Sequence, residues 1–175
     1  MNRHLILTLL GDDRPGLVET LSTLVSHHEG NWLESSMSRL AGKFAGVVRV
    51  TVPESHLDAL EAKLAAIVDL KVVVDHLDTP AEAAGADAGP LLRFTLVCHD
   101  RIGIVSEVSG VFARHGVNVE KFSSRVSSAP MSSESLFNAE AELSLPAGLD
   151  PDTLKQALER LSPDLIADIS LDTVR

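Results

Sequence analysis

At 175 residues the chain has room for one ordinary domain or two small ones, and its 45% hydrophobic and 23% charged residues are those of a globular protein, which excludes general disorder. Fifteen Lys and Arg against 25 Asp and Glu leave a net charge of -10, a field that repels phosphate backbones and anionic lipid. Aromatics are only 3%, with no Tyr, so stacking platforms for single strands are missing and direct nucleic-acid binding is disfavoured.

Taken in chain order, Leu5–Leu10 is an apolar run suited to a central strand. It is too short to cross a membrane and lacks a signal-cleavage pattern, so the expectation is a soluble cytoplasmic protein without membrane contact. Leu17, Val18, Leu21, Leu24 and Val25 recur at helical spacing, with Asp13 as the expected N-cap, Pro15 near the first turn and Gly30 at the helix end. Val48, Val50 and Val52 alternate with polar residues as a half-buried strand. Leu57, Leu60, Leu64 and Ile67 mark a second helix, and Val72 and Val74 a last strand.

Residues 79–90, TPAEAAGADAGP, hold no large apolar group and read as a tether. Beyond it the same order returns. Ile104, Val105, Val108, Val111 and Phe112 form a helix face. Phe137, Ala139, Ala141, Leu143 and Leu145 form an alternating strand, Leu154, Leu158 and Leu161 a helix stripe, and Leu165, Ala167, Ile169 and Leu171 a final strand.

The recurrence is visible residue by residue. Leu5–Ser36 against Leu92–Ser123, a shift of 87, gives eleven identities in 32 positions, among them Asp13/Asp100, Arg14/Arg101, Gly16/Gly103, Val18/Val105, His28/His115 and Asn31/Asn118. This is a duplicated unit. Domains are expected at 1–78 and 91–175 with the linker 79–90 between them. Each βαββαβ half, with right-handed crossovers, folds as an antiparallel sheet with two helices on one face. The fold class is α+β, two ferredoxin-like domains in tandem.

The repeated loop after the first strand carries the functional argument. A glycine in the opening turn lets another group approach the backbone, and free N–H groups at a helix start favour an anion such as a carboxylate. Asn31 and Asn118, each at the start of the strand after the helix, offer donors and an acceptor for a zwitterion. Each feature has a structural alternative: Asp13 and Asp100 as helix caps, Gly16 and Gly103 as packing glycines, Asn31 and Asn118 as turn residues, Arg14 and Arg101 in surface ion pairs.

The arrangement strand, D-R-[PI]-G-[LI]-V, helix, H-x-x-N, strand resembles ACT domains, the small-molecule-sensing modules of amino-acid metabolism, over residues 3–78 and 91–173. Among them, a stand-alone pair resembles the glycine cleavage system transcriptional repressors. The resemblance implies an amino-acid ligand held between paired ACT domains, by Asp13, Arg14, Gly16, Leu17 and Asn31 in the first half and Asp100, Arg101, Gly103, Ile104 and Asn118 in the second. It also implies a regulatory protein without catalytic activity or cofactor, a homo-oligomer acting through contact with a transcriptional regulator. A small pocket lined by backbone and Asn suits glycine or serine. The alternative is an ACT interaction module that binds no ligand and acts by dimerisation or partner binding. Pro15 against Ile102, Gly11-Asp12 against Cys98-His99 and Trp32 against Val119 break the symmetry, so the two sites need not be equal.

Other signals are weaker. The single cysteine, Cys98, forms no internal disulfide and reads as a buried thiol beside Leu92, Phe94 and Leu96. Seven histidines include the adjacent His27 and His28, which point to different sides of a helix, so no metal site is expected. His28 and His115 suit the last helical turn. Residues 123–135, SSRVSSAPMSSES, begin as a strand and continue as a polar hairpin loop.

Overall fold

In a computed structural model, residues 1–77, 91–128 and 134–171 are described. The expected tether and the tip of the Ser-rich loop lie outside them. The chain divides into two compact units, Met1–Ala84 and Gly85–Arg175.

The first unit runs β1 (Asn2–Asp12), α1 (Leu17–His27), β2 (Asn31–Leu40), β3 (Lys43–Pro53), a single 3-10 turn, α2 (Leu57–Ala65) and β4 (Leu70–Leu77). The second repeats it as β5 (Leu91–His99), α3 (Ile104–Arg114), β6 (Asn118–Ser128), β7 (Ser135–Ser144), α4 (Pro151–Glu159) and β8 (Ile166–Leu171). The sheets are antiparallel, in the orders β2-β3-β1-β4 and β6-β7-β5-β8. This is the expected ferredoxin-like topology, twice.

Period-two alternation puts Leu5, Leu7 and Leu9 of β1 and Val48, Val50 and Val52 of β3 on one face, where Leu21 and Val25 of α1 and Leu60 and Leu64 of α2 close over them. In the second unit Leu92, Phe94, Leu96 and Cys98 meet Val108, Val111, Phe112, Leu154 and Leu158. Phe94 and Phe112 meet edge to face, centroids 5.3 Å apart at 86°. Burial pushes the Cys98 thiol above its ordinary value, with the Asp164 charge adding to the effect.

Val18 and Val105 depart from the expected helix faces. They are 45% and 43% exposed, because each sits at the outer rim of its helix's first turn. Helix α1 ends through Glu29 at φ 57°, whereas its counterpart Gly116 takes φ 66° without a Cβ penalty. Gly30 follows as a close-approach position: a Cβ there would lie 2.9 Å from the Val25 carbonyl oxygen and 3.0 Å from that of Thr51.

Candidate functional site

The loop after β1 is fastened to the neighbouring hairpin. The Asp13 N–H donates to the Gly42 carbonyl (2.9 Å), Arg39 donates to the Asp13 carboxylate (3.3 Å), and Lys43 pairs with Asp12. That pairing holds the Asp12 carboxyl below its ordinary value. The hairpin turns through Ala41 and Gly42, both at positive φ (50° and 77°). In the second unit the Asp100 N–H makes the equivalent bond to the Ser135 carbonyl (2.9 Å).

Asp13 and Asp100 are not the helix caps expected from sequence. The N-caps are Gly16 (φ 90°, ψ -2°) and Gly103 (φ 93°, ψ -6°), with no side-chain capping bond at either helix. The chain needs three further residues to turn after the aspartate, and the last takes a left-handed conformation open to glycine. A Cβ on Gly16 would meet nothing within 4 Å, so its conformation, not tight packing, calls for glycine there. The first helical bonds run from Thr20 N–H to Gly16 and from Glu107 N–H to Gly103. Apart from the Ile104 N–H, which makes a long bond to the Arg101 carbonyl (3.5 Å), the N–H groups of the first turn are thus left pointing out of the helix end, the arrangement that suits an anion. Leu17 and Ile104 are buried, 9% and 3% exposed, so they offer the loop backbone rather than side chain.

The arginines diverge. Arg14 pairs once with Asp69, just before β4, at 3.0 Å, and both side chains are about half exposed. Arg101 instead makes two bonds to Glu107 in the first turn of α3 (2.7 and 2.5 Å). The carboxylate lies 3.8 Å from where a Gly103 Cβ would stand, across the loop. This pairing raises Arg101 and lowers Glu107 from their ordinary pKa values. Two differences accompany the switch: Glu107 stands where the first unit has Thr20, and His99 holds the acid preceding β8, its N–H and Nδ1 contacting Asp164 at 2.7 and 2.9 Å and its Nε2 reaching Glu134 at 3.2 Å. Bonds to these carboxylates, Glu134 foremost, raise the His99 pKa.

Asn31 and Asn118 open β2 and β6 as expected, and both are exposed. Asn118 donates to Glu120 (2.6 Å), which also accepts from Ser144 (2.8 Å). Neither asparagine adjoins its own unit's loop. Asn31 sits in register with Thr51 and thus with His4, whereas the loop leaves β1 at Asp12. Eight residues of strand separate those ends, about 26 Å at roughly 3.3 Å per residue. One small ligand cannot touch Arg14 and Asn31 of the same unit.

Residues 3–74 and, separately, residues 93–162 match the ACT domain. The chain belongs to the ACT-domain family. No curated protein matches it in sequence. Solved structures similar to it include a protein of unknown function from Galdieria sulphuraria, 22% identical with a TM-score of 0.80 over 98% of this chain and 99% of that one. Another is a protein proposed to be a glycine cleavage system transcriptional repressor, 16% identical with a TM-score of 0.69 over 97% of each chain. At these identities the likeness is one of fold.

Beyond the residues expected from sequence, the ACT loops bring in Asp69, Glu107, Asp164 and the exposed Val18 and Val105. Only the two valines carried a signal, their identity in the repeat. Cys98 is buried, and His28 and His115 are the C-cap residues of α1 and α3, where the His28 ring donates to the Leu24 carbonyl (2.8 Å). A groove of about 260 Å³ lined by Ser123, Ser124, Arg125, Asn138 and Glu140 lies on β6 and β7, apart from the loops. Among the described residues no group of three His, Cys, Asp or Glu is placed to hold a metal ion, and no helix is long and apolar enough to cross a membrane.

Proposed function

We propose that this tandem ACT protein is a non-enzymatic regulator that binds a small amino acid, glycine or serine by the size of the groups offered, and signals through contact with another protein. The observation that carries the reading is the duplicated helix start: an uncapped first turn behind a left-handed glycine, with an asparagine at the head of the next strand. The N–H groups suit the ligand's carboxylate and the Asn carbonyl suits its ammonium. Because the two lie at opposite ends of one sheet, the first-unit loop of one copy serves with Asn31 of a second copy. Ligand favours the arrangement that brings them together, and linkage passes that preference to a partner. The likeness to a protein proposed as a glycine cleavage repressor supports a transcriptional regulator as that partner. The net charge of -10 favours action through protein rather than DNA.

The loops are unequal in this reading. Arg14 is held by one exposed ion pair and is free to exchange it for a ligand carboxylate, so the first loop is the binding loop. In the second, Arg101 and Glu107 fill the loop mouth with the protein's own side chains. That observation favours a second reading for the second domain alone, an interaction module without ligand. Calorimetric titration with glycine and serine tests both: saturable heat that Arg14→Ala abolishes and Arg101→Ala leaves intact supports the assignment, and no heat with any amino acid removes it.

A further inference from the structure

The outer faces of the two sheets, away from the helices, differ in a way the duplicated fold makes measurable. In the first sheet one row of register partners across β4, β1, β3 and β2 reads Val73, Thr8, Val47, Ser36. The same row in the second sheet, across β8, β5, β7 and β6, reads Asp168, Thr95, Glu140, Ser123. Backbone and row are shared, but two valines stand where the solvated copy has two acids. Val47 and Val73 are each 45% exposed and Leu10 is 51% exposed, with Ile6 and Ala45 beside them on this face. An antiparallel sheet with one face on its core ordinarily turns polar residues outward, as the second sheet does along this row, although its neighbouring row ends in Ile166, 69% exposed.

We infer that this face of the first unit is an interface with a second copy of the chain, packed face to face about a two-fold axis along the Val73–Thr8–Val47–Ser36 row. The charges select this register. On β4, Lys71 and Asp75 flank Val73 on the same face, two residues to either side. A two-fold along the valine row puts Lys71 of one copy over Asp75 of the other, twice, while Leu10 meets Ile6 and Val73 meets Val73. Moving the axis one row either way sets Asp75 on Asp75 or Lys71 on Lys71. Arg49 and Glu34 lie together on the face, 3.8 Å apart. The face is therefore neutral in a chain of net charge -10, so a second copy meets no repulsion there. The interface is isologous, as a two-fold requires.

Four strands at about 4.8 Å spacing and roughly nine residues of length present on the order of 500 Å² per copy. This is at the low end of specific interfaces, so the dimer is reversible and concentration-dependent. The inference stands apart from the amino-acid site, which lies at the strand ends.

Sedimentation velocity on the full chain over a wide concentration series tests it. The wild type is expected to shift from monomer to dimer. Val47→Glu with Val73→Asp, which writes the second sheet's residues onto the first, is expected to stay monomeric with an unchanged circular dichroism spectrum. Lys71→Asp alone sets acid on acid and weakens the dimer on the order of tenfold. Lys71→Asp with Asp75→Lys exchanges the partners and restores it. A wild type that is monomeric throughout, or a dimer that both valine and Lys71 variants leave untouched, overturns the inference; failure of the exchange to restore association overturns the register. Should the valine variant not fold, the exposed Lys71 and Asp75 variants decide alone.

Discussion

Replacing Gly16 by alanine isolates the conformational demand at the head of α1. At φ 90° and ψ -2° a Cβ meets no atom within 4 Å, so the substitution introduces no clash and only the left-handed backbone penalty operates. That penalty is about 1–2 kcal/mol. For a unit of this size, each kcal/mol moves the melting temperature by roughly 4–8 °C. The assay is urea or thermal unfolding followed by fluorescence of Trp32, the single tryptophan, which packs against the first unit's core. Gly148 provides the control: it too has a positive φ (85°) with open space at its Cβ, and it lies far in sequence from either loop. Gly148→Ala, in the second unit and followed there by circular dichroism, is expected to cost a comparable amount while leaving amino-acid binding intact, whereas Gly16→Ala re-aims the first-turn N–H groups and weakens binding as well. A Gly16→Ala protein whose Trp32 transition coincides with wild type refutes the reasoning, because the glycine would then not be required by backbone conformation.

Three other expectations follow from the same structure. Ala41 at φ 50°, the first residue of a two-residue turn, gains from Asn: Ala41→Asn is expected to raise stability by about 1 kcal/mol in urea unfolding, and a loss would contradict the turn assignment. Phe94 is fully buried against Phe112, so Phe94→Ala is expected to cost about 3–5 kcal/mol by circular dichroism-monitored unfolding, and a loss under 1 kcal/mol would contradict the packing. His99 has a folded pKa raised above 6.5 by Glu134 and Asp164, so its contribution is complete below that value and fades as pH rises through the raised one. Asp164, lowered chiefly by the Ser162 hydroxyl and the His99 N–H, contributes fully above the ordinary carboxylate range, and that contribution fades as pH falls through the range and is gone only well below it. An imidazole resonance of His99 that titrates at or below 6.5 would contradict the arrangement.

What could be read from the sequence was what periodicity and repetition encode. The alternating valines of β3, the helix stripes and the eleven repeated identities led to the topology observed. Periodicity could not tell Val18 and Val105 from core residues, since a first-turn position satisfies the spacing whether the core reaches it or not. Composition rules placed the caps on Asp13 and Asp100, where left-handed glycines three residues later do the turning and Asp13 serves the hairpin instead. Ala41-Gly42 carries no Asn-Gly signature, so its turn was invisible. The partners of Arg14 and Arg101 depend on acids at quite different sequence separations, and their divergence goes with two differences between the halves, Thr20 against Glu107 and Gly11-Asp12 against Cys98-His99. That Asn31 stands about 26 Å from its own loop is a consequence of topology, since a helix that returns along the sheet delivers the next strand to the far end.

The central claim, that an amino acid bridges the first-unit loop of one copy and Asn31 of a second, is tested most directly by calorimetric titration of glycine and serine into the wild type, Arg14→Ala and Asn31→Ala. The expected result is saturable binding in the wild type, lost in Arg14→Ala and sharply weakened in Asn31→Ala, with both variants unfolding at nearly the wild-type urea midpoint. Normal binding by both variants would contradict the site, and absence of heat from every amino acid in the wild type, with an unchanged melting temperature, would contradict the sensor itself.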